Sequence, residues 1–139
     1  MTAVPLLLDT CAALWIMDDA PLRDAAVDAI DLAADRGQPV YLSPITGWEI
    51  GLLASRGRFR SAWTPQKWLD ALLDRPQIAL ADMPPRLLME SSFLPGSPPG
   101  DPADRIIAAT AREYGFTVVT RDRLLLDYAA AGHLSALAC

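Results

Sequence analysis

Four short apolar runs recur along the chain, Val4–Leu8, Val40–Leu42, Ile78–Ala81 and Thr117–Thr120, each bounded by proline, glycine or aspartate. Longer segments with helical periodicity separate them. That alternation constrains the fold more than any other feature. Short apolar runs of this kind are strands buried on both faces, and a strand–helix alternation implies a parallel sheet with right-handed crossovers and helices on both sides. Ser135–Cys139 is a weaker fifth strand candidate. The expected helices are Leu22–Arg36, Ile45–Ser55, Pro65–Leu73, Pro85–Phe93, Pro102–Tyr114 and Arg123–Ala131, with another beginning at Cys11. Gly37, Gly115 and Gly132 fall where helices should stop. The expected architecture is a three-layer α/β/α domain over residues 1–139 with a central parallel sheet of four to five strands.

Composition removes several function classes. The 139 residues are 52% hydrophobic and 21% charged, a globular balance without a disordered tail. No apolar run is long enough to span a bilayer, and the segment from Met1 to Leu8 lacks the basic start and cleavage site of a signal peptide. Cys11 and Cys139, the two cysteines, lack metal spacing, so a cytoplasmic location without membrane contact is expected. The single histidine, His133, reads as a surface residue at a helix end, and its isolation argues against histidine metal clusters and Ser-His-Asp catalysis. Net charge is −5, so general electrostatic attraction to nucleic acid is weak and any such contact must be local.

Acid–base or metal chemistry therefore falls to carboxylates. In parallel α/β sheets, ligands bind outside the carboxyl ends of the strands. Asp9 directly follows the first strand and Asp122 the strand ending at Thr120, so both stand at that edge. Glu49 lies one to two turns into the helix after Leu42, inside the apolar stretch "ITGWEIGLL", and Asp104 lies in the first turn of the helix opened by "GDPADR". Each has a structural alternative: Asp9 and Asp122 suit helix caps, Glu49 an ion pair with an arginine, and Asp104 the helix dipole. Of the two aspartates in "GDPADR", Asp101 is assigned to the cap, with Pro102 at the first helical position, which leaves Asp104 free to face a site. Several carboxylates at one edge raise one another's pKa unless a cation joins them, and oxygen-only ligands suit Mg²⁺ or Mn²⁺.

The stretches "LLLDTCAALW", "SPITGWEIGLL", "GDPADRIIAATA" and "VVTRD" resemble the four acidic blocks of PIN-domain ribonucleases, in order and over nearly the whole chain. The combination of "WEI", "DPADR" and "TRD" is especially similar to VapC-type toxins of bacterial toxin–antitoxin pairs. The resemblance implies a Mg²⁺- or Mn²⁺-dependent endoribonuclease whose ligands are Asp9, Glu49, Asp104 and Asp122. It also implies a small antitoxin that occludes the site, homodimerisation of the toxin, and a hetero-oligomer with the antitoxin. Thr10, Ser43 and Thr120 stand where the family has small hydroxyl residues near the site, with backbone capping as the competing role, and Asp101 supports from beside it. Relatives carry a histidine or basic residue shortly before "DPADR", where this chain has Pro98, Pro99 and Gly100.

Candidates for RNA contact are Arg105 and Arg121, which adjoin acids of the site, and Arg56 and Arg58 in "SRGRFRSAWTPQKW", where basic and aromatic residues interleave. A solvated arginine loop with its tryptophans in a core or partner interface is the competing reading of that stretch. Three rival functions are a phosphoaspartate switch or phosphatase, a non-catalytic interaction domain, and a PIN nuclease of RNA processing that has no antitoxin. "DTCAA" lacks the second aspartate that a phosphatase places two residues on, and Lys67, the single lysine, lies mid-chain rather than late, where a receiver domain places one.

Overall fold

The computed structural model describes residues 3–139. Met1 and Thr2, part of the stretch read as having no leader, lie outside the described residues. The elements in chain order are β1 (Leu6–Leu8), α1 (Thr10–Met17), α2 (Asp24–Asp35), β2 (Val40–Leu42), α3 (Ile45–Ser55), α4 (Pro65–Leu73), β3 (Ile78–Leu80), α5 (Pro85–Glu90), α6 (Pro102–Tyr114), β4 (Thr117–Thr120), α7 (Arg123–Ala130) and β5 (Ser135–Ala138). All neighbouring strands pair in parallel, in the order β3-β2-β1-β4-β5. The expected α/β/α fold with a parallel sheet is what the chain adopts.

The three leucines of β1 show how the layers form. Successive strand side chains point to opposite faces. Leu6 and Leu8 join Val40, Leu42 and Val119 under Ala12, Ala13, Ala26, Ala33, Ile50, Trp68 and Leu72 of α1 to α4. Leu7 turns the other way and packs with Val118 against Ala103, Ile107 and Ala111 of α6. All three leucines are fully buried, so truncating one to alanine costs about 2–5 kcal/mol. α7 closes the second layer, with Leu125 and Tyr128 against Ala108.

Several boundaries differ from the sequence expectation for local reasons. β1 starts at Leu6 rather than Val4, since Pro5 has no N–H to give a ladder and contributes only its carbonyl, which accepts from Thr117 N at 2.8 Å. α2 begins at Asp24, with Arg23 in extended backbone as its N-cap, and α1 begins at Thr10 instead of Cys11. α5 ends at Glu90 rather than Phe93: the Ser91 hydroxyl donates back to Leu88 O at 2.6 Å, and the turn leads into Pro95. α6 runs the full expected length and stops at Gly115, whose φ of 71° suits glycine. β3, α7 and β5 each end one residue early, at Leu80, Ala130 and Ala138. Among the described residues, no helix is long and apolar enough to cross a membrane.

Strand order positions the site. From β1 the chain moves outward through β2 to β3, then returns to lay β4 on the other side of β1. The crossovers on the two sides diverge above the carboxyl ends of β1 and β4, the place where parallel α/β sheets offer a crevice to ligands. Asp9 N donates to Val119 O at 3.2 Å, which holds the ends of these two strands together at its floor.

Candidate active site

Asp9 is the most enclosed of the four acids, at 3% exposure. As N-cap of α1 it accepts from Ala12 N through Oδ1 at 2.7 Å. Its other oxygen, Oδ2, accepts from the Thr120 hydroxyl on β4. The same hydroxyl oxygen accepts from Asp122 N at 2.9 Å. Asp122 caps α7, taking Leu125 N on Oδ2 at 2.9 Å. Capping was the structural alternative for both aspartates, and both do cap. Capping and facing the site are compatible here, because a carboxylate has about four lone-pair positions and the caps use only some of them.

Glu49 is half-buried on α3 and accepts from the Thr10 hydroxyl at 2.5 Å. Thr10 Oγ1 also lies 3.1 Å from Thr46 Oγ1, which is fully buried. A hydroxyl pair thus ties the first turn of α1 to α3 and sets the reach of Glu49. The ion pair with an arginine considered for Glu49 is not formed among the described residues. The sequence expectation does not include Thr46; its spacing one turn before Glu49 on the helix is the signal that points to it.

"GDPADR" divides its two aspartates as expected. Asp101 Oδ1 accepts from Ala103 N at 2.8 Å and Asp104 N at 3.2 Å, the N-cap of α6. The Asp104 carboxylate is half-buried and accepts no hydrogen bond among the described residues. Among the described residues, it is the one acid of the four whose carboxylate accepts no hydrogen bond.

The charges feel one another. Burial, followed by the nearby Asp122, Asp101, Glu49 and Asp9, pushes Asp104 up to about 7. Burial also raises Asp9, opposed by the Thr120 and Ala12 hydrogen bonds and reinforced by Asp122. Glu49 is raised by burial against the Thr10 hydrogen bond, with Asp101 and Asp9 adding to it. Cys11, which the sequence expectation leaves outside the site, is pushed up to about 11 by burial and then by Asp9, Glu49, Asp104 and Asp122. Cys11, exposed on α1 two residues after Asp9, thus feels the charge of all four carboxylates. Among the described residues, no three His, Cys, Asp or Glu side chains are grouped as a metal cage. The donor chemistry nevertheless fits a hard divalent cation: carboxylate oxygens only, like charges that raise one another, and an Asp104 carboxylate with no partner.

The cations do not neutralise this pocket. Arg105 Nη1 donates to Ser91 O at 3.3 Å, and Arg121 Nη2 to Pro21 O at 2.7 Å. Arg121 also lies over the Trp15 ring, 3.5 Å from its centroid. Neither arginine pairs with a neighbouring acid among the described residues, because backbone carbonyls and an aromatic face capture both guanidinium groups. Ser43 Oγ accepts from Ile45 N at 3.1 Å and so serves the start of α3. Arg56 and Arg58 are exposed beyond the far end of α3. His133 departs from its expected surface position: it is half-buried, stacked on Tyr128 with ring centroids 4.8 Å apart, and presses on Gly96.

Comparison with known proteins identifies the family and the fold. The family model of the PIN domain matches residues 6–131. The ribonuclease VapC22 of Mycobacterium tuberculosis is 36% identical over 129 residues, covering 92% of this chain and 93% of that protein. Among solved structures, VapBC2 from Rickettsia felis bound to a promoter DNA fragment is similar at a TM-score of 0.68, with 19% identity over 96% of this chain and 97% of that one. DNA-bound VapBC from Salmonella typhimurium is similar at 0.63, with 19% identity over 97% and 98% of the two chains. FitAcB from Neisseria gonorrhoeae is similar at 0.53, with 22% identity over 95% and 96%. With a matched domain model over most of its length and its acids gathered above β1 and β4, this chain belongs to the PIN-domain family.

Proposed function

We propose that this protein is a Mg²⁺- or Mn²⁺-dependent endoribonuclease and the toxin of a toxin–antitoxin pair. The observation that carries the reading is the pocket itself: Asp9, Glu49, Asp104 and Asp122 come from four segments, share one electrostatic environment, and have no basic side chain paired with them among the described residues. The named activity of the mycobacterial relative, a ribonuclease, supports the reaction class. The VapBC assemblies among the structural neighbours support the biological setting.

In this reading the four carboxylates hold the cation. Asp104 contributes the least committed oxygens. When bound, the ion supplies an acidified water and positive charge for a phosphodiester oxygen. The remaining roles belong to the chain. Thr120 holds the Asp9 carboxylate, Thr10 and Thr46 hold Glu49, and Asp101 fixes the first turn of α6 so that Asp104 faces the crevice. Arg105 and Arg121 brace α5 and α1 around the pocket rather than gripping substrate. The antitoxin inserts an arginine or lysine among the carboxylates, where a guanidinium fork suits a carboxylate pair. The toxin acts in the cytoplasm as a homodimer.

Incubating the purified chain with total RNA, with Mg²⁺ or Mn²⁺ and with EDTA, tests the reaction, and Asp104→Asn provides the control. Cleavage is expected only with the metal and the native aspartate. Expression of the chain alone should arrest bacterial growth, and the product of a small adjacent gene should relieve it. A folded, expressed chain that neither slows growth nor cuts RNA with either metal overturns the proposal.

A further inference from the structure

On a chain of net charge −5, the residues from Ile50 to Leu69 contain no acid, yet they carry Arg56, Arg58, Arg60 and Lys67, four of the 12 basic residues. None of the four is ion-paired among the described residues. The loop that bears them is built, not loose. Gly57, at φ 67°, lets the chain turn sharply off α3, with Gly57 N donating to Ala54 O at 3.1 Å and Arg58 N to Leu53 O at 2.8 Å. Phe59 then drops inward, its ring edge-on to the buried Trp68 at 5.9 Å, and leaves Arg58 and Arg60 exposed on either side of it. Trp63 follows at 43% exposure with Lys67 Nζ 5.7 Å from its ring centroid, on a helix start capped by Thr64. The result is an anchored row of cations ending at an open aromatic face.

Its place relative to the carboxylates is set by α3. Arg56 comes seven residues after Glu49, a rise of about 10 Å along the helix, or about three phosphates at the 3.4 Å spacing of a stacked strand. We propose that Arg56, Arg58, Arg60 and Trp63 form a track for the backbone and one base of a single-stranded RNA running from the carboxylate pocket along α3. This rests on the reading of that pocket as a ribonuclease site. The track resolves a physical difficulty of that reading, since an acidic pocket on an acidic chain repels a polyanion and the attraction must come from elsewhere. An acidic protein segment would satisfy the arginines but has no base to lay on Trp63; an unpaired nucleotide satisfies both.

Binding can be read without cleavage by using the full chain carrying Asp104→Asn and a labelled single-stranded oligoribonucleotide, with fluorescence anisotropy measured at several salt concentrations. Adding Arg56→Ala, Arg58→Ala and Arg60→Ala together should make the log–log salt slope shallower by about 2, at about 0.7 for each phosphate of a single strand that is no longer neutralised. Trp63→Ala should weaken binding about tenfold. A triple variant with native circular dichroism and melting that keeps its affinity and salt slope for long strands overturns the proposal. So does a triple variant that binds RNA normally while losing affinity for a polyglutamate peptide. Cleavage by the native chain, scored alongside, tests the ribonuclease reading separately: arginine-dependent binding supports the track even where no strand is cut, and cutting with arginine-independent binding overturns the track alone.

Discussion

Thr120 holds Asp9 from the neighbouring strand: its hydroxyl donates to Asp9 Oδ2 and accepts from the backbone N–H of Asp122 at 2.9 Å. One oxygen atom therefore joins the acid after β1 to the acid after β4, across the point where the sheet's connections diverge. Thr120→Val keeps the shape and removes the hydroxyl, leaving a buried carboxylate oxygen and an N–H without this partner. We expect a loss of about 1–3 kcal/mol in urea unfolding. The Asp9 pKa should rise further, because the Thr120 hydrogen bond is the largest influence lowering it. A valine variant as stable as the native chain would show that the bridge carries no weight.

Asp104 gives the protein a specific pH dependence. Its folded pKa is about 7 against an ordinary 3.8, so between those values the folded state holds a proton that the unfolded state has released. Stability from the protonated form is full below about pH 4 and is lost as pH rises through about 7. Asp9 and Glu49, also raised, act in the same sense. The melting temperature should fall from about pH 5 to about pH 8, and Asp104→Asn should flatten that fall. An equally steep profile in the variant would place the titration elsewhere.

A divalent cation should reverse the effect where the carboxylates are charged. Mg²⁺ or Mn²⁺ should raise the melting temperature more at about pH 8 than at about pH 5, since ligand protons must leave before metal binds and a ligand of the native state alone stabilises it. Asp9→Asn should blunt the shift. An undiminished metal response in that variant would remove Asp9 from the ligand set.

The two aspartates of "GDPADR" should separate cleanly in experiment. Asp101→Ala removes the acceptor for Ala103 N and Asp104 N and should cost about 0.5–2 kcal/mol as a lost cap. Whatever protein remains folded should still cut RNA. Asp104→Asn should abolish cutting with the fold intact, and the opposite pattern would exchange their roles.

Gly96 and His133 should couple strongly. Gly96 has φ 69°, and a Cβ placed there would run into the His133 ring, 2.9 Å from its Cδ2 and closer still to Nε2. Gly96→Ala should destabilise by about 1–3 kcal/mol or more through overpacking and left-handed strain. In the His133→Ala background the same change should cost less, since only the strain remains. Equal costs in the two backgrounds, from a double-mutant cycle, would contradict the contact.

Much of this molecule is written locally. The three buried leucines of β1, the Asp–Pro opening of α6 and the glycine that ends it are short-range signals: strand alternation, a cap, a left-handed stop. From them the α/β/α order and the positions of Asp9, Glu49, Asp104 and Asp122 at one sheet edge can be read before any coordinates are known. Which partner each polar group takes is not local. Arg105 and Arg121 sit beside acids in sequence, yet a carbonyl 14 residues away and another 100 residues away capture them, with Trp15 giving Arg121 a face to lie on. Thr46 meets Thr10 only because α1 packs on α3, and Thr120 reaches Asp9 across 111 residues because β1 and β4 are neighbours. Hydrogen bonds and charges act over a few ångströms of space, whatever the distance along the chain. The layers and the places of the acids follow from local signals, while packing between distant segments sets which acids are held, which one keeps its oxygens uncommitted, and how far its proton affinity rises.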